Sequence, residues 1–562
     1  MASMKNRAKS KAKEKREWTI MVYYAGDNNL SAECVYALNE MKNVVGLDKF
    51  HLLAQFDPSD PFLPTHRYRI TDDGRVATLP SDIIDRARFD PDKGEVFFEH
   101  ESQLAMQLAE VRLNAQKQVS KTSNAAKAAS FGTAPDPTDG SNDDTNTASP
   151  ITLYNFLSFC MSEYPAKHYL PVIAGHGAGT QRDYLLRDSS PAGYLTLNEL
   201  KLVFKRLSQD RGYAFEILGM DNCLMSMGEV CYELRDSVEM IVGCESYSPA
   251  SGWPFREVLG RLRDILAASA NRPVATKFAK AIVEEYTAYY ANYWLGGLSV
   301  AQSAMRVSEV EKFKEAVDAL ADALVQELER EESRVAAKPA RKPRAYPFRD
   351  ALVLAHWEAQ SYNGERFTDL FDFCECLEKR SRSAIIFANC RRMKNAINSF
   401  VLKSCYNGAA YQYSHGVSLY FPWSQVANSY TNLDFVSTGV GGEMQGWGKF
   451  LEAYTAKTRR TPRGLKPSGL NREFANIASG SPAVGQLVRK TSDMKTSDMK
   501  TSDMGGNDIV SMQNPPVVFV PDECIHRTSA IVAAQHKLLD SPATPAAKGK
   551  KSPVRKRGKR KR

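Results

Sequence analysis

Tyr169-Leu-Pro-Val-Ile-Ala-Gly-His-Gly-Ala-Gly179 and Phe215-Glu-Ile-Leu-Gly-Met-Asp-Asn-Cys223 are the stretches that decide the fold. Each is a short apolar run that stops abruptly at polar or glycine-rich residues, as a strand buried on both faces does. Outward from them, Trp18-Thr-Ile-Met-Val-Tyr-Tyr24, Phe50-His-Leu-Leu-Ala-Gln-Phe56 and Val238-Glu-Met-Ile-Val-Gly243 repeat the pattern. Amphipathic stretches at 31–45, 196–207 and 224–235 predict helices between them. Alternating strand and helix predicts an α/β fold, a mostly parallel sheet flanked by helices on both faces.

In such sheets ligands gather outside the carboxyl ends of the strands. Three of the predicted strands end in chemically capable residues: Gly26-Asp27-Asn28-Asn29, Gly175-His176-Gly177-Ala178-Gly179 and Asp221-Asn222-Cys223. A thiol titrates near pH 8.5, so a nucleophile at neutral pH needs a base beside it or a local positive field. The predicted helix at 224–235 would offer Cys223 its unpaired N–H groups, and His176 would be the base. The glycines around His176 allow close substrate approach and let backbone N–H groups face an oxyanion.

This arrangement resembles the caspase, legumain and gingipain clan of cysteine peptidases, in which a His-Gly after one strand precedes a Cys after the next. More narrowly, it is similar to the clostripain family. The resemblance spans most of residues 17–455 through Tyr24-Ala-Gly-Asp-Asn-Asn-Leu30, His176-Gly177, Tyr194-Leu-Thr-Leu-Asn-Glu-Leu200, Met220-Asp-Asn-Cys-Leu-Met225, Gly252-Trp-Pro-Phe255 and His415-Gly-Val-Ser-Leu-Tyr-Phe-Pro422. It implies a caspase-like fold and a cysteine endopeptidase in which Cys223 attacks the scissile carbonyl and His176 is the general acid and base. It further implies oxyanion donors at the N–H groups of Gly177 and Cys223. Asp221 stands where the family keeps an acidic specificity residue, so cleavage after Arg or Lys is expected. Asp221 as a cap for the 224–235 helix is the competing role. Relatives often carry an acid just before Gly-Trp-Pro; this chain has Ser251 there, leaving one expected carboxylate in the substrate-binding pocket instead of two.

The resemblance also raises self-cleavage between His and Cys, with Arg182 and Arg187 as the cut sites in an exposed polar loop. No cofactor is required on this reading. The resemblance also suggests calcium as a cofactor, which is associated with clostripain itself, although no acidic loop with EF-hand spacing is present. Asp27, Asn28 and Asn29 read as a loop-capping network. His415 precedes a further apolar strand and reads as structural. Cys231 and Cys244 read as packed or loop thiols, with Cys244 the backup nucleophile. A Gly-His-Gly-Ala-Gly run also occurs in oxyanion loops of some lipases, but no Gly-x-Ser-x-Gly elbow follows it.

Composition bounds the alternatives. The chain has 562 residues, 43% hydrophobic and 25% charged, as globular proteins do. Its formal charge of +9 is concentrated at the ends. Residues 1–17 sum to +5 and residues 545–562 to +10, so the body between them carries −6. A folded nucleic-acid reader would show a basic stripe on its ordered surface. The tails alone are suited to nucleic acid or an anionic surface, which defines the alternative reading of a catalytically inactive peptidase-like binding protein. Ten cysteines are too sparse for a disulfide scaffold, and Cys374 and Cys376 lack zinc-site spacing.

The organisation expected is a basic extension at 1–16, a peptidase domain at 17–455 with a low-complexity insertion at 116–149, and a basic tail at 456–562 with Lys-Thr-Ser-Asp-Met repeats. The charged start leads into an apolar stretch of about eight residues ending in Gly-Asp, not into a signal-peptide core, and no run approaches the roughly 20 apolar residues of a membrane span. A cytoplasmic protein acting on protein or peptide substrates is expected. The sequence leaves its oligomeric state open.

Overall fold

Trp18, Ile20, Met21, Val22 and Tyr23 are fully buried, so the first strand presents apolar side chains to helices on both sides of a sheet. The computed structural model describes residues 15–44, 47–59, 65–71, 75–79, 147–180, 186–189, 192–268, 274–293, 297–337, 346–362, 366–423, 425–438 and 442–459. The expected extension at 1–16 thus falls outside the described residues up to 14, as do the insertion up to 146 and the tail from 460. Arg16 already belongs to the first strand, and Thr147 and Ala148 are buried. The Tyr23 hydroxyl donates to the Thr147 carbonyl at 2.8 Å, so the core resumes there, two residues before the expected end of the insertion.

The strands are β1 (Arg16–Tyr24), β2 (Phe50–Phe56), β3 (His66–Ile70), β4 (Val76–Thr78) and β5 (Ala166–Ala174), followed by a ribbon of β6 (Leu186–Ser189) and β7 (Ala192–Leu195). Then come β8 (Leu218–Asp221), β9 (Met240–Gly243), β10 (Val300–Arg306), β11 (Ser361–Tyr362), β12 (Phe367–Asp369), β13 (Val401–Asn407) and β14 (Ser418–Tyr420). Nine of them form one sheet in the order β13-β10-β9-β8-β5-β1-β2-β3-β4. The five central strands, β9 to β2, pair in parallel, and antiparallel strands extend the sheet at both edges. The expected mostly parallel α/β sheet is therefore what forms.

Local rules explain the crossover that sets β5 beside β8. Helix Leu197–Arg211 starts at a capping box, in which the Thr196 side chain accepts from the Glu199 N–H and the Glu199 carboxylate accepts from the Thr196 N–H. Leu200, Val203, Phe204 and Leu207 then recur at helical spacing and are fully buried. Phe204 meets Phe215 edge-on with centroids 5.4 Å apart. Burying each such side chain contributes about 1.5–3 kcal/mol. Helix α1 (Ser31–Met41) follows β1 and packs against helix Phe255–Ala268.

Candidate active site

Register brings the three expected strand ends level. Tyr24 of β1 pairs with Ala174 of β5, and Ala174 pairs with Asp221 of β8. The segments carrying Asn29, His176 and Cys223 therefore leave the sheet side by side.

His176 is 2% exposed, and its Nε2–H donates to the Asn29 side-chain oxygen at 2.7 Å. That bond fixes the neutral ring as the tautomer with Nδ1 bearing the lone pair. The next residue has to be glycine. A Cβ on Gly177 would lie 2.4 Å from the Cys223 carbonyl oxygen and 2.9 Å from its nitrogen, so the His176 loop rests directly on the backbone of Cys223. The Asp27-Asn28-Asn29 cluster divides its work. Asn28 caps the loop, its Nδ2 donating to the Ala25 carbonyl at 2.8 Å and its Oδ1 accepting from the Leu30 N–H at 2.9 Å. Asn29 turns inward to the histidine, a role the capping expectation missed.

Cys223 is 2% exposed, and its sulfur accepts the Ser248 N–H at 3.3 Å. The helix expected to begin at 224 does not. Residues 224–227 form an irregular loop, and the helix spans only Gly228–Glu233. Leu224 has φ of 65°, the one non-glycine residue with positive φ among the described residues. The N–H groups of Leu224, Met225 and Ser226 donate to the carbonyls of Ser246, Cys244 and Cys244 at 3.0, 2.8 and 3.0 Å. Those amides are committed to the loop after β9, so the helix-terminus field expected for the thiolate is absent. The Ser248 N–H is the backbone dipole that faces the sulfur instead, and it arrives from 25 residues downstream where no local pattern marks it.

Nor does Asp221 cap a helix. Its Oδ2 accepts the Trp253 N–H at 2.9 Å, and Gly252, at φ of 68°, makes room for it: a Cβ there would lie 2.6 Å from that oxygen. The Gly-Trp-Pro motif thus seats the carboxylate. Its other oxygen, Oδ1, is buried without a hydrogen-bond partner, and burial pushes the acid up to about 7. Asp221 lines a cavity of ≈ 30 Å³ together with Cys223, Ser251, Tyr24, Cys34 and Glu33. The Ser251 hydroxyl is hydrogen-bonded to the Tyr290 hydroxyl at 2.8 Å. Glu33 was not singled out from the sequence.

Several other candidates fall elsewhere. Cys244, the expected backup nucleophile, is 1% exposed, and its thiol donates to the carbonyls of Asn222 and Ser246 at 3.3 and 3.1 Å. Burial holds it well above the usual thiol range, as a packed thiol would be. Cys231 is buried against the Met305 sulfur at 3.6 Å, and Cys374 and Cys376 are buried on helix Leu370–Arg380. His415 is structural as expected: its ring pairs with Asp369 at 3.2 Å and stacks on Phe371. Arg182 lies outside the described residues. Arg187 is in β6, opposite Tyr194 of β7, and not in the open loop expected. Among the described residues no group of three or more His, Cys, Asp or Glu could hold a metal ion. No described helix is long and apolar enough to cross a membrane.

A search of curated proteins finds no match. Among solved structures, a secreted C11 cysteine protease from Bacteroides thetaiotaomicron, in complex with an irreversible peptide inhibitor, is 16% identical. The match covers 78% of this chain and 99% of that one, with a TM-score of 0.47. An inactive zymogen C11 protease from Parabacteroides distasonis is 18% identical over 75% of this chain and 97% of its own, with a TM-score of 0.46. The expectation of a cytoplasmic location is corrected: two of the similar solved structures, both from Bacteroides thetaiotaomicron, are described as secreted proteases. The family model described as the Clostripain family matches residues 22–454, well over half of the 562 residues and including all three strand ends of the site. The chain belongs to the clostripain family of cysteine peptidases.

Proposed function

We propose that this peptidase cleaves proteins or peptides after Arg or Lys through a dyad of Cys223 and His176. The observation that carries the reading is the contact of the His176-Gly177 loop with the backbone of Cys223, beside a cavity containing an unpartnered carboxylate oxygen of Asp221.

In this mechanism the Nδ1 of His176 takes the proton of the Cys223 thiol, and the thiolate attacks the scissile carbonyl carbon. The oxyanion is received by the N–H groups of Gly177 and Cys223. His176 then gives its proton to the leaving amine, and the C–N bond breaks to leave a thioester. A water, deprotonated by His176, releases the acid product and regenerates the thiol. Asn29 keeps the proton of Nε2 in place throughout, so Nδ1 does the exchanging. The Ser248 N–H favours the thiolate. Proton transfer by a positioned side chain contributes about 10²- to 10⁴-fold, so loss of either dyad member is severe. The substrate cation meets Asp221, with Ser251 on the same wall.

No cofactor takes part in these steps. Self-cleavage after Arg182 or Arg187 is a further part of the proposal. At Arg187 it requires the β6–β7 ribbon to open, since a peptide paired in a ribbon cannot extend into a cleft.

The test is cleavage of fluorogenic peptides ending in Arg, Lys, Asp or Leu, with reductant, and with calcium or a chelator, beside Cys223→Ala and His176→Ala. Cleavage after Arg and Lys that both substitutions abolish is the expected result. Cleavage after Asp or Leu alone overturns the specificity, and activity that survives either substitution overturns the dyad. Intact mass that never changes during prolonged incubation of active protein overturns self-cleavage.

A further inference from the structure

On the apolar stripe of helix α1, at the spacing of Ala37 and Met41, stands a charged residue. Glu33 is 5% exposed and shares the buried face with Cys34, Ala37, Leu38 and Met41. One of its carboxylate oxygens, Oε2, is buried and has no hydrogen-bond partner. A buried acceptor left unsatisfied costs free energy that a packed apolar side chain at the same position would not, so its retention calls for a ligand.

The cavity supplies the place for one. Glu33 and Asp221 both line it, from α1 and β8, two elements far apart in sequence. The Oδ2 of Asp221 is committed to the Trp253 N–H, which leaves Oδ1 as its available acceptor. Two residues of the cavity wall thus each hold a buried carboxylate oxygen without a partner, Asp221 Oδ1 and Glu33 Oε2. At ≈ 30 Å³ the cavity holds about two waters as it stands.

We propose that Glu33 is the second carboxylate of the substrate-cation pocket, taking from helix α1 the place that Ser251 leaves vacant before the Gly-Trp-Pro motif. The inference rests on the Arg/Lys reading and names the residue that completes it. A guanidinium carries five N–H donors and an ammonium three, so a single free oxygen on Asp221 leaves most of them unsatisfied in a dry pocket. A second anion supplies another charge-assisted bond and balances the cost of burying the cation. Glu33 is in the first turn of α1, where the helix dipole favours a carboxylate.

The experiment measures kcat/KM for one peptide series ending in Arg, Lys or citrulline, the neutral isostere of Arg. The proteins are the wild type, Glu33→Gln, Asp221→Asn and the double variant Glu33→Gln/Ser251→Asp. Gln keeps the shape of Glu33 and removes its charge. The expected result is a fall of about 10- to 100-fold in the Arg-to-citrulline ratio for Glu33→Gln, carried mainly by KM. Recovery of much of that ratio when Ser251→Asp restores an acid to the same wall is expected as well. Two outcomes overturn the role of Glu33 while leaving the Arg/Lys reading standing: an unchanged ratio in Glu33→Gln beside a collapsed one in Asp221→Asn, or an equal loss for all three peptides in Glu33→Gln. A wild type that cleaves after citrulline as well as after Arg and Lys overturns the specificity reading, and this inference with it.

Discussion

Replacing Gly177 by Ala tests whether the His176 loop works by touching Cys223. The added methyl would lie 2.4 Å from the Cys223 carbonyl oxygen, whereas ordinary contact begins at 3.4 Å, so the two segments have to part by about 1 Å. The neighbours at 2.9 and 3.0 Å, the Cys223 nitrogen and the Asn222 Cβ, block escape toward the same side. Neither backbone atom can swing away as a side-chain tip would. A displacement of about 1 Å between catalytic groups costs on the order of 10²-fold in rate, and the same shift widens the gap between the two oxyanion donors. We expect kcat for the best basic peptide to fall at least about 100-fold in Gly177→Ala, with far-UV circular dichroism unchanged. Steady-state and burst kinetics measure it: acylation slows and the burst disappears. Wild-type kcat in a folded Gly177→Ala protein would show that the dyad does not depend on this contact.

Four further expectations follow from the same geometry. Asp221, with an acid held near 7 in the folded chain against 3.8 for the free group, favours the folded state in its protonated form. Its contribution to stability is therefore lost as pH rises from about 4 to about 7, by a few kcal/mol, and Asp221→Asn should flatten the fall in Tm over that window; an unchanged Tm profile would contradict the shift. The Arg-to-citrulline ratio of kcat/KM should correspondingly rise through pH about 7 in the wild type and stay flat in Asp221→Asn. Asn29→Ala removes the acceptor for the Nε2–H of His176 and should lower kcat roughly 10-fold or more while leaving KM near its original value, with partial recovery in Asn29→Asp. Cys244→Ser should keep activity within about threefold, since that thiol only donates to two carbonyls; loss comparable to Cys223→Ala would reinstate it as a nucleophile.

The parts of the site that were legible in the sequence are those fixed by the sheet. Apolar runs of five to seven residues ending in Gly-His-Gly or Asp-Asn-Cys can be read as buried strands, and parallel pairing brings their ends together whatever the loops do. Residues reached through loops or distant elements were not legible. The helix expected at 224–235 had helical composition, but tertiary demand won: the amides after Cys223 pair with the carbonyls of Cys244 and Ser246, and only Gly228–Glu233 is helical. Ser248 acts through its N–H, which carries no trace in the side-chain sequence. Asn29 looked like one of three interchangeable turn residues, and only its direction separates it from Asn28. Glu33 did leave a signal, an acid interrupting the stripe of Ala37 and Met41, which is the kind of local inconsistency that marks a functional position.

Cys223 as the nucleophile and His176 as the base that activates it can be tested in one labelling experiment. A peptidyl-arginyl chloromethyl ketone reads both at once, because the attacking thiolate displaces chloride and stays attached as a thioether. Intact mass and peptide mapping of the labelled full chain are expected to show one adduct, on Cys223, formed far more slowly in His176→Ala and slowed in Asp221→Asn. An adduct on another cysteine with Cys223 unmodified, or equal labelling rates with and without His176, would contradict the account.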